Sequence, residues 1–389
     1  MSLQYIFTAK EKAEPTAEYL KSQMLHHPPN KLSRHMEEPV FKCIFLLFRI
    51  CGVLETDNAS INACVYFKKA FVFIINVILL VIVSCMTAFV IFIKDYSTSS
   101  RGNMVVGITL ILQRWILCSR IGKLHKLSFR IEKLFKNWNL CSENLSHKSI
   151  YVWSAITIVL FALLCVCGIR VAKTFQGSVD ILSPDLKLIL VVVLVCVLPL
   201  ILLFPTFVFA IYYTVICRYL SNILKNFMKT FGAITNPNYV INLKQYLMIR
   251  KLVMEADSEL SVLMFTSTLF NSCSLYFGIT CVLHSKHYIS LGGISALLAV
   301  WMISTISSTA FFVMSKTGSS IHELSSSIWD KVQQLIPAGQ ELTSSQKRLL
   351  SVVEKELTMT VWKVASVKRG FILGTLGTIF TYSILVDNL

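Results

Sequence analysis

The closing stretch of the chain, GFILGTLGTIFTYSILVDNL over 370–389, carries the residues whose types and spacing promise most. It is apolar and about long enough to cross a bilayer as a helix. Gly370, Gly374 and Gly377 stand at i, i+4 and i+7, so one side of that helix has almost no bulk. In lipid such a face lets another helix approach closely. A last helix docked in its own bundle also accounts for the stripe. Asp387, Asn388 and a carboxylate on Leu389 then put polar and negative groups at the membrane edge. Elsewhere the chemistry is sparse. No nucleophile–base pair, Gly-rich phosphate loop or Cys/His metal spacing stands in a plausible place, so the chain reads as a non-enzyme without a cofactor.

These residues need elements to position them, and composition bounds what those are. The 389 residues are 54% hydrophobic with a mean hydropathy of +0.64, beyond ordinary soluble usage. The net charge of +16 would suggest nucleic acid in a soluble protein. Here the basic residues avoid the apolar runs, as in loops that face anionic lipid. Cys85, Cys118, Cys165, Cys167, Cys196, Cys273 and Cys281 lie inside apolar segments, where cysteine behaves as a small hydrophobe. The first forty residues are polar, with Pro15, Pro28, Pro29 and Pro39, so an internal span is expected to start insertion.

Seven apolar windows follow, at 70–93, 104–118, 150–169, 188–216, 260–283, 289–314 and 371–386. Arg114 interrupts the second and is expected to snorkel to the nearer surface. Pro199 and Pro205 predict a kink in the fourth. Residues 41–54, with Lys42 and Arg49, are too short to span and predict an interfacial or bundle-packed helix. Counted before, between and after the windows, Lys and Arg number nine, two, seven, three, six, one, eight and none. Positive charge stays on the cytoplasmic side. This places the N-terminus inside, the C-terminus outside, and the sequons at Asn58 and Asn144 in the cytosol, unglycosylated.

The cytosolic segments are themselves helical. Leu220, Ile223, Leu224, Phe227 and Met228 continue the fourth span as a stripe. After the turn at 235–238, helical spacing resumes and runs into the fifth. Residues 318–336 extend the sixth, and Thr343 or Ser344 offers an N-cap for a helix over 346–360. The predicted fold is all-α: seven transmembrane helices, with helical extensions forming a cytosolic anchor domain. Its parts are a tail and interfacial helix (1–69), a six-helix bundle (70–369) with anchor helices at about 217–259 and 317–369, and the last helix (370–389).

Thr381-Tyr382, five residues, then Asn388-Leu389 resembles the signature that closes the last helix of the insect gustatory receptors: Thr-Tyr, five mostly hydrophobic residues, Gln-Phe. Asn388 stands for Gln and Leu389 for Phe, while Asp387 takes a usually apolar place. Residues 368–373 (KRGFIL) and 255–260 (EADSEL) are similar to that family more loosely. The order of parts resembles the insect chemoreceptor superfamily over essentially the whole chain.

The resemblance implies a tastant-gated, non-selective cation channel in the plasma membrane. It would be a homotetramer or a heteromer with related receptors, its last helices lining the pore. In such an assembly Asp387 and the terminal carboxylate would ring the outer mouth and favour cations, and Leu385 and Leu389, four apart, would form a hydrophobic constriction. Asn388 would take the role of the family's Gln. Thr381 and Tyr382 would hold the helix against neighbours. A ligand cavity within each bundle makes Gln113, Asn271, Tyr276, Thr280, Ser295 and Trp301 candidates, though packing explains each as well. Asn271 is mid-bilayer and needs a partner. The hydroxyl run at 304–309 is explained by bonds back to its own helix. An odorant-receptor-type channel of the same superfamily and a membrane transporter are the alternatives. The transporter lacks its usual inverted repeat and midplane charges.

Overall fold

The computed structural model describes residues 39–53, 98–138, 198–233, 238–283, 285–335 and 342–387, with single helical positions between 70 and 81 and between 152 and 169. Asn58, Asn144, most of the first apolar window and half of the third lie outside these residues. The elements in chain order are α1 (Pro39–Ile50), α2 (Thr98–Asn137), α3 (Leu198–Leu202), α4 (Phe204–Ala233), α5 (Tyr239–Leu283), α6 (Ser285–Leu335), α7 (Ser344–Val353), a two-stranded hairpin of β1 (Thr360–Val361) and β2 (Ala365–Ser366), and α8 (Arg369–Asp387).

Of the seven expected spans, four fall on described helices long and apolar enough to cross a membrane: Val105–Asn137, Pro199–Gly232, Tyr239–Leu283 and Leu297–Leu335. A shorter apolar helix, Arg369–Leu385, carries the last window. Helix α6 has 51 residues, so it is about 75 Å long at 1.5 Å per residue, more than twice the hydrocarbon thickness. The surplus of α4, α5 and α6 forms the extensions read from the sequence, and α2 is extended in the same way, to Asn137.

Helix α1 packs in the bundle. Val40, Phe41, Ile44, Phe45, Leu47 and Phe48 recur at helical spacing and are all buried, while Lys42 and Arg49 are exposed. Gly52, at φ +72°, ends the helix, with Val53 N donating to Phe48 O at 2.9 Å and Gly52 N to Arg49 O at 3.0 Å. Glycine is needed there because a Cβ disfavours the left-handed turn that both bonds require.

The two prolines break the fourth span as expected. Helix α3 stops, Leu203 forms a turn with its N–H on Pro199 O at 2.8 Å, and α4 starts one residue before Pro205. Pro205 has no N–H, so the carbonyl four residues earlier, on Ile201, loses its helical donor.

Arg114 supplies that donor, which corrects the snorkelling expectation. Its side chain is buried, with Nη1 donating to Ile201 O at 2.8 Å and to Cys51 O at 2.9 Å. Nη2 reaches Gly52 O at 3.4 Å. The guanidinium thus serves the proline break and the end of α1 together. Its fork of donors meets three carbonyls at once.

The main core lies at the charged end, around α4. Tyr212, Tyr213, Ile216, Tyr219, Leu220 and Ile223 are fully buried there among residues of α1, α2, α5 and α6. Phe41 stacks on Tyr219 at 5.4 Å and Phe135 meets the same ring edge-on at 5.0 Å. The Tyr212 hydroxyl is also satisfied, donating to Leu124 O at 2.8 Å and lying 3.0 Å from Ser128 Oγ. A smaller cluster of Leu79, Leu110, Leu202, Leu203, Phe207 and Phe270 fills the apolar end.

The helix predicted over 346–360 is shorter, ten residues over Ser344–Val353. Thr343 caps it by a capping box with Gln346, and it ends at Val353. Beyond that point other elements take the backbone donors: Ser325 Oγ accepts from Leu357 N at 2.9 Å and Asp257 Oδ1 from Thr360 N at 2.6 Å. The chain then turns back as the antiparallel hairpin, pairing Thr360 with Ser366 and Val361 with Ala365.

Candidate functional site

Helix α8 has nineteen residues and is held by one stripe. Ile379 and Ser383 are buried, and Phe371, Ile372, Thr375 and Leu376 are half-buried. These positions recur every three to four residues, toward α5 and α6. The other sides are bare: Leu373, Phe380, Tyr382, Ile384 and Leu385 are all more than half exposed. A Cβ built at Gly370, Gly374 or Gly377 would meet nothing within 4 Å. The glycine stripe is therefore an open face in the single chain. Thr381 donates back to Gly377 O at 2.9 Å, and Tyr382 is exposed, so neither joins α8 to its own bundle. Asp387 closes the helix, while Asn388 and Leu389 lie outside the described residues.

The root of α8 is fixed by charge. Arg369 makes a two-pronged pair with Glu323 of α6 at 2.6 and 2.9 Å, and Lys368 reaches Glu356 at 3.0 Å. The Arg369 bond holds the Glu323 carboxyl below the ordinary carboxylate range. Lys368 does the same for Glu356, helped by His322. One step earlier, Thr360 gives both its N–H and its hydroxyl to Asp257 of α5. Burial raises the Asp257 carboxyl in spite of those bonds. Among the described residues, the root of α8 is thus tied to side chains of α5, of α6 and of the segment between α7 and β1.

Within the bundle, the structure brings some of the polar candidates to one region. Gln113 of α2 is buried and donates through Nε2 to Ser267 Oγ of α5 at 2.7 Å. Asn271 is buried one turn further along α5. Among the described residues, Gln113 Oε1, Asn271 Oδ1, Ser274 Oγ and Ser307 Oγ have no hydrogen-bond partner. Helices α5 and α6 close tightly beside them, since a Cβ on Gly278 would lie 2.0 Å from Ser304 Oγ. The antiparallel register that sets Gly278 against Ser304 brings Ser274 level with Ser307.

These buried amide oxygens and hydroxyls could bond to a polar group entering this region. The other candidates sit apart. Tyr276 and Thr280 are half-buried, Thr280 bonding back to Tyr276 O at 3.0 Å, and Trp301 is exposed on α6. Ser295 lies on α6, and its side chain is outside the described residues. Sequence reasoning missed Ser267, Ser274 and Ser307. In the run at 304–309, Thr305, Ser308 and Thr309 do bond back to their own helix. Ser304 and Ser307 do not: Ser304 lies against Gly278 of α5, and Ser307 is fully buried.

No protein-family model and no curated protein matches the chain. Among solved structures it resembles the insect olfactory receptor OR5 from Machilis hrabei, with a TM-score of 0.66 and 14% identity. It resembles that receptor in complex with eugenol equally, with a TM-score of 0.66 and 13% identity. Each likeness covers 89% of this chain and 97% of the receptor. The solved structures it resembles are thus those of a receptor. With its long apolar helices, this chain is a multi-pass membrane protein with the fold of an insect olfactory receptor.

Proposed function

We propose that the protein is a chemoreceptor of the gustatory type, a non-selective cation channel of the plasma membrane opened by a small-molecule tastant. Four copies, alike or mixed with related subunits, gather their last helices around a shared pore. The observation that carries this reading is α8: an apolar helix held to its own chain by one stripe, with an open glycine face and a row of exposed apolar side chains. Exposed surface of that kind is covered by lipid or by other copies.

In this arrangement Leu385 and Leu389 form the constriction, while Asp387 and Asn388 line the mouth. The ligand occupies the bundle near Gln113 and Asn271, where unpartnered acceptors favour a donor-bearing molecule over a hydrocarbon. Binding opens the pore to the extent that the open state holds the ligand more tightly. The likeness to an olfactory receptor solved with eugenol supports an odorant-type ligand as the second reading.

Ligand-evoked cation currents in cells lacking other receptors, tested with sugars, bitter compounds and volatile odorants, separate the two. Strictly stoichiometric substrate flux without such currents would establish a transporter instead. Particle images of the purified protein are expected to show four copies around an axis.

A further inference from the structure

The loop joining β1 to β2 is an unusual place for the residues it holds. Trp362 and Lys363 have φ of 50° and 58°, and Val364 N closes the turn on Val361 O at 3.0 Å. The loop has three residues, 362–364, and a turn with positive φ at both central positions favours Asn-Gly there, because a bulky side chain disfavours positive φ. A tryptophan and a lysine occupy it here, followed by a valine that is 86% exposed.

Where this tip sits explains what it can touch. The hairpin climbs one face of α5 in three rungs. Asp257 binds Thr360, Ser261 O accepts from Trp362 N at 3.0 Å, and the Phe265 ring lies 4.7 Å from the Trp362 ring. Residues 257, 261 and 265 are one turn apart, so the rungs rise by about 12 Å along the helix. Glu259 is the last charged residue of α5, and none follows from Leu260 to Leu283. The tip therefore stands at the level where α5 passes from water into hydrocarbon. Even after packing on Phe265, Trp362 remains 56% exposed.

We propose that Trp362, Lys363 and Val364 form a bilayer anchor whose partner is phospholipid of the leaflet next to the charged helical extensions. Trp362 and Val364 enter the boundary between headgroups and acyl chains, where an amphipathic indole is favoured. Lys363 keeps its ammonium among the headgroup phosphates, its stem lying along the apolar layer, and anionic lipid strengthens the contact. Two residues separate β2 from the start of α8, so this contact ties the root of the last helix to the membrane as well as to α5. The inference rests on the chain being membrane-spanning and is independent of channel activity.

The test uses the full chain reconstituted in vesicles of phosphatidylcholine, with and without phosphatidylserine. A diazirine amino acid replaces Val364, Ser351 or Leu298 in turn, and photoproducts are identified by mass. Ser351 is exposed on α7 and reports water; Leu298 is exposed in the apolar part of α6 and reports lipid. Position 364 is expected to yield phospholipid adducts several-fold above position 351, and more with phosphatidylserine present. Adducts to a second copy of the chain, or only the water-quenched product, at 364 with lipid adducts at 298 would overturn the anchor alone. Loss of lipid adducts at both positions would overturn the membrane reading with it.

Discussion

Helices α4 and α8 are both apolar, yet the fold treats them in opposite ways. Tyr212, Tyr213, Ile216, Tyr219 and Leu220 of α4 are fully buried among neighbouring helices. On α8 only Ile379 and Ser383 are buried among the described side chains. Apolar composition therefore does not reveal which helix is wrapped and which is bare. The difference lies in what each does for the bundle. Withdrawing α4 would empty a close-packed core, whereas shifting α8 exposes little and leaves that core intact. Low-stability elements of this sort are the ones that move.

Four changes test that contrast. Phe209→Ala on α4 is expected to cost about 3–5 kcal/mol through the cavity it leaves, while Leu373→Ala on α8 stays within about 0.5 kcal/mol. Thermal unfolding of the purified protein in detergent measures both, and equal losses would erase the distinction. Arg114→Met is next. It leaves the carbonyls of Cys51 and Ile201 without their buried donor, at a cost of about 3 kcal/mol, visible in the same melt. Third, Gly377→Ala on the open face adds a Cβ that meets nothing. It is expected to stabilise the chain by up to about 1 kcal/mol through helix propensity, while weakening assembly of copies in size-exclusion profiles. A loss of chain stability would mean the face is already covered.

The smallest effect concerns the root of α8. Lys368, with His322 behind it, depresses the Glu356 carboxyl, so its contribution is present above the ordinary carboxylate pKa. That contribution fades as pH falls from there through the group's own, lower value. Glu356→Gln should therefore lower the melting temperature slightly at neutral pH, and the gap from the native protein should close in acid.

What was legible in the sequence was local. The stripe of α1, the break at Pro199 and Pro205, the run-on of α5 and α6 beyond the membrane and the Thr343 cap all follow from residues a few positions apart. The rest depends on partners far along the chain. Residues 346–360 look helical because nothing nearby shows that Asp257 will take the Thr360 N–H and hold the chain in a hairpin. Arg114 suggests snorkelling until the freed carbonyl of Ile201 stands beside it. Gln113 and Asn271 could be proposed for the buried site because amides are conspicuous in apolar runs. Ser267, Ser274 and Ser307 could not, since a serine in a membrane helix satisfies itself on its own backbone unless packing turns it away.

The guanidinium at position 114 also sets a schedule for biogenesis. Its acceptors on Cys51 and Gly52 are synthesised before it, but the one on Ile201 is made 87 residues later. During that interval, of these three acceptors, only the two at the end of α1 are there to meet its charge. A ribosome-bound intermediate halted before residue 201 should therefore expose this arginine to reagents that the finished protein excludes. Helix α1, too short to cross the bilayer itself, would then be the earliest of its partners on offer to Arg114.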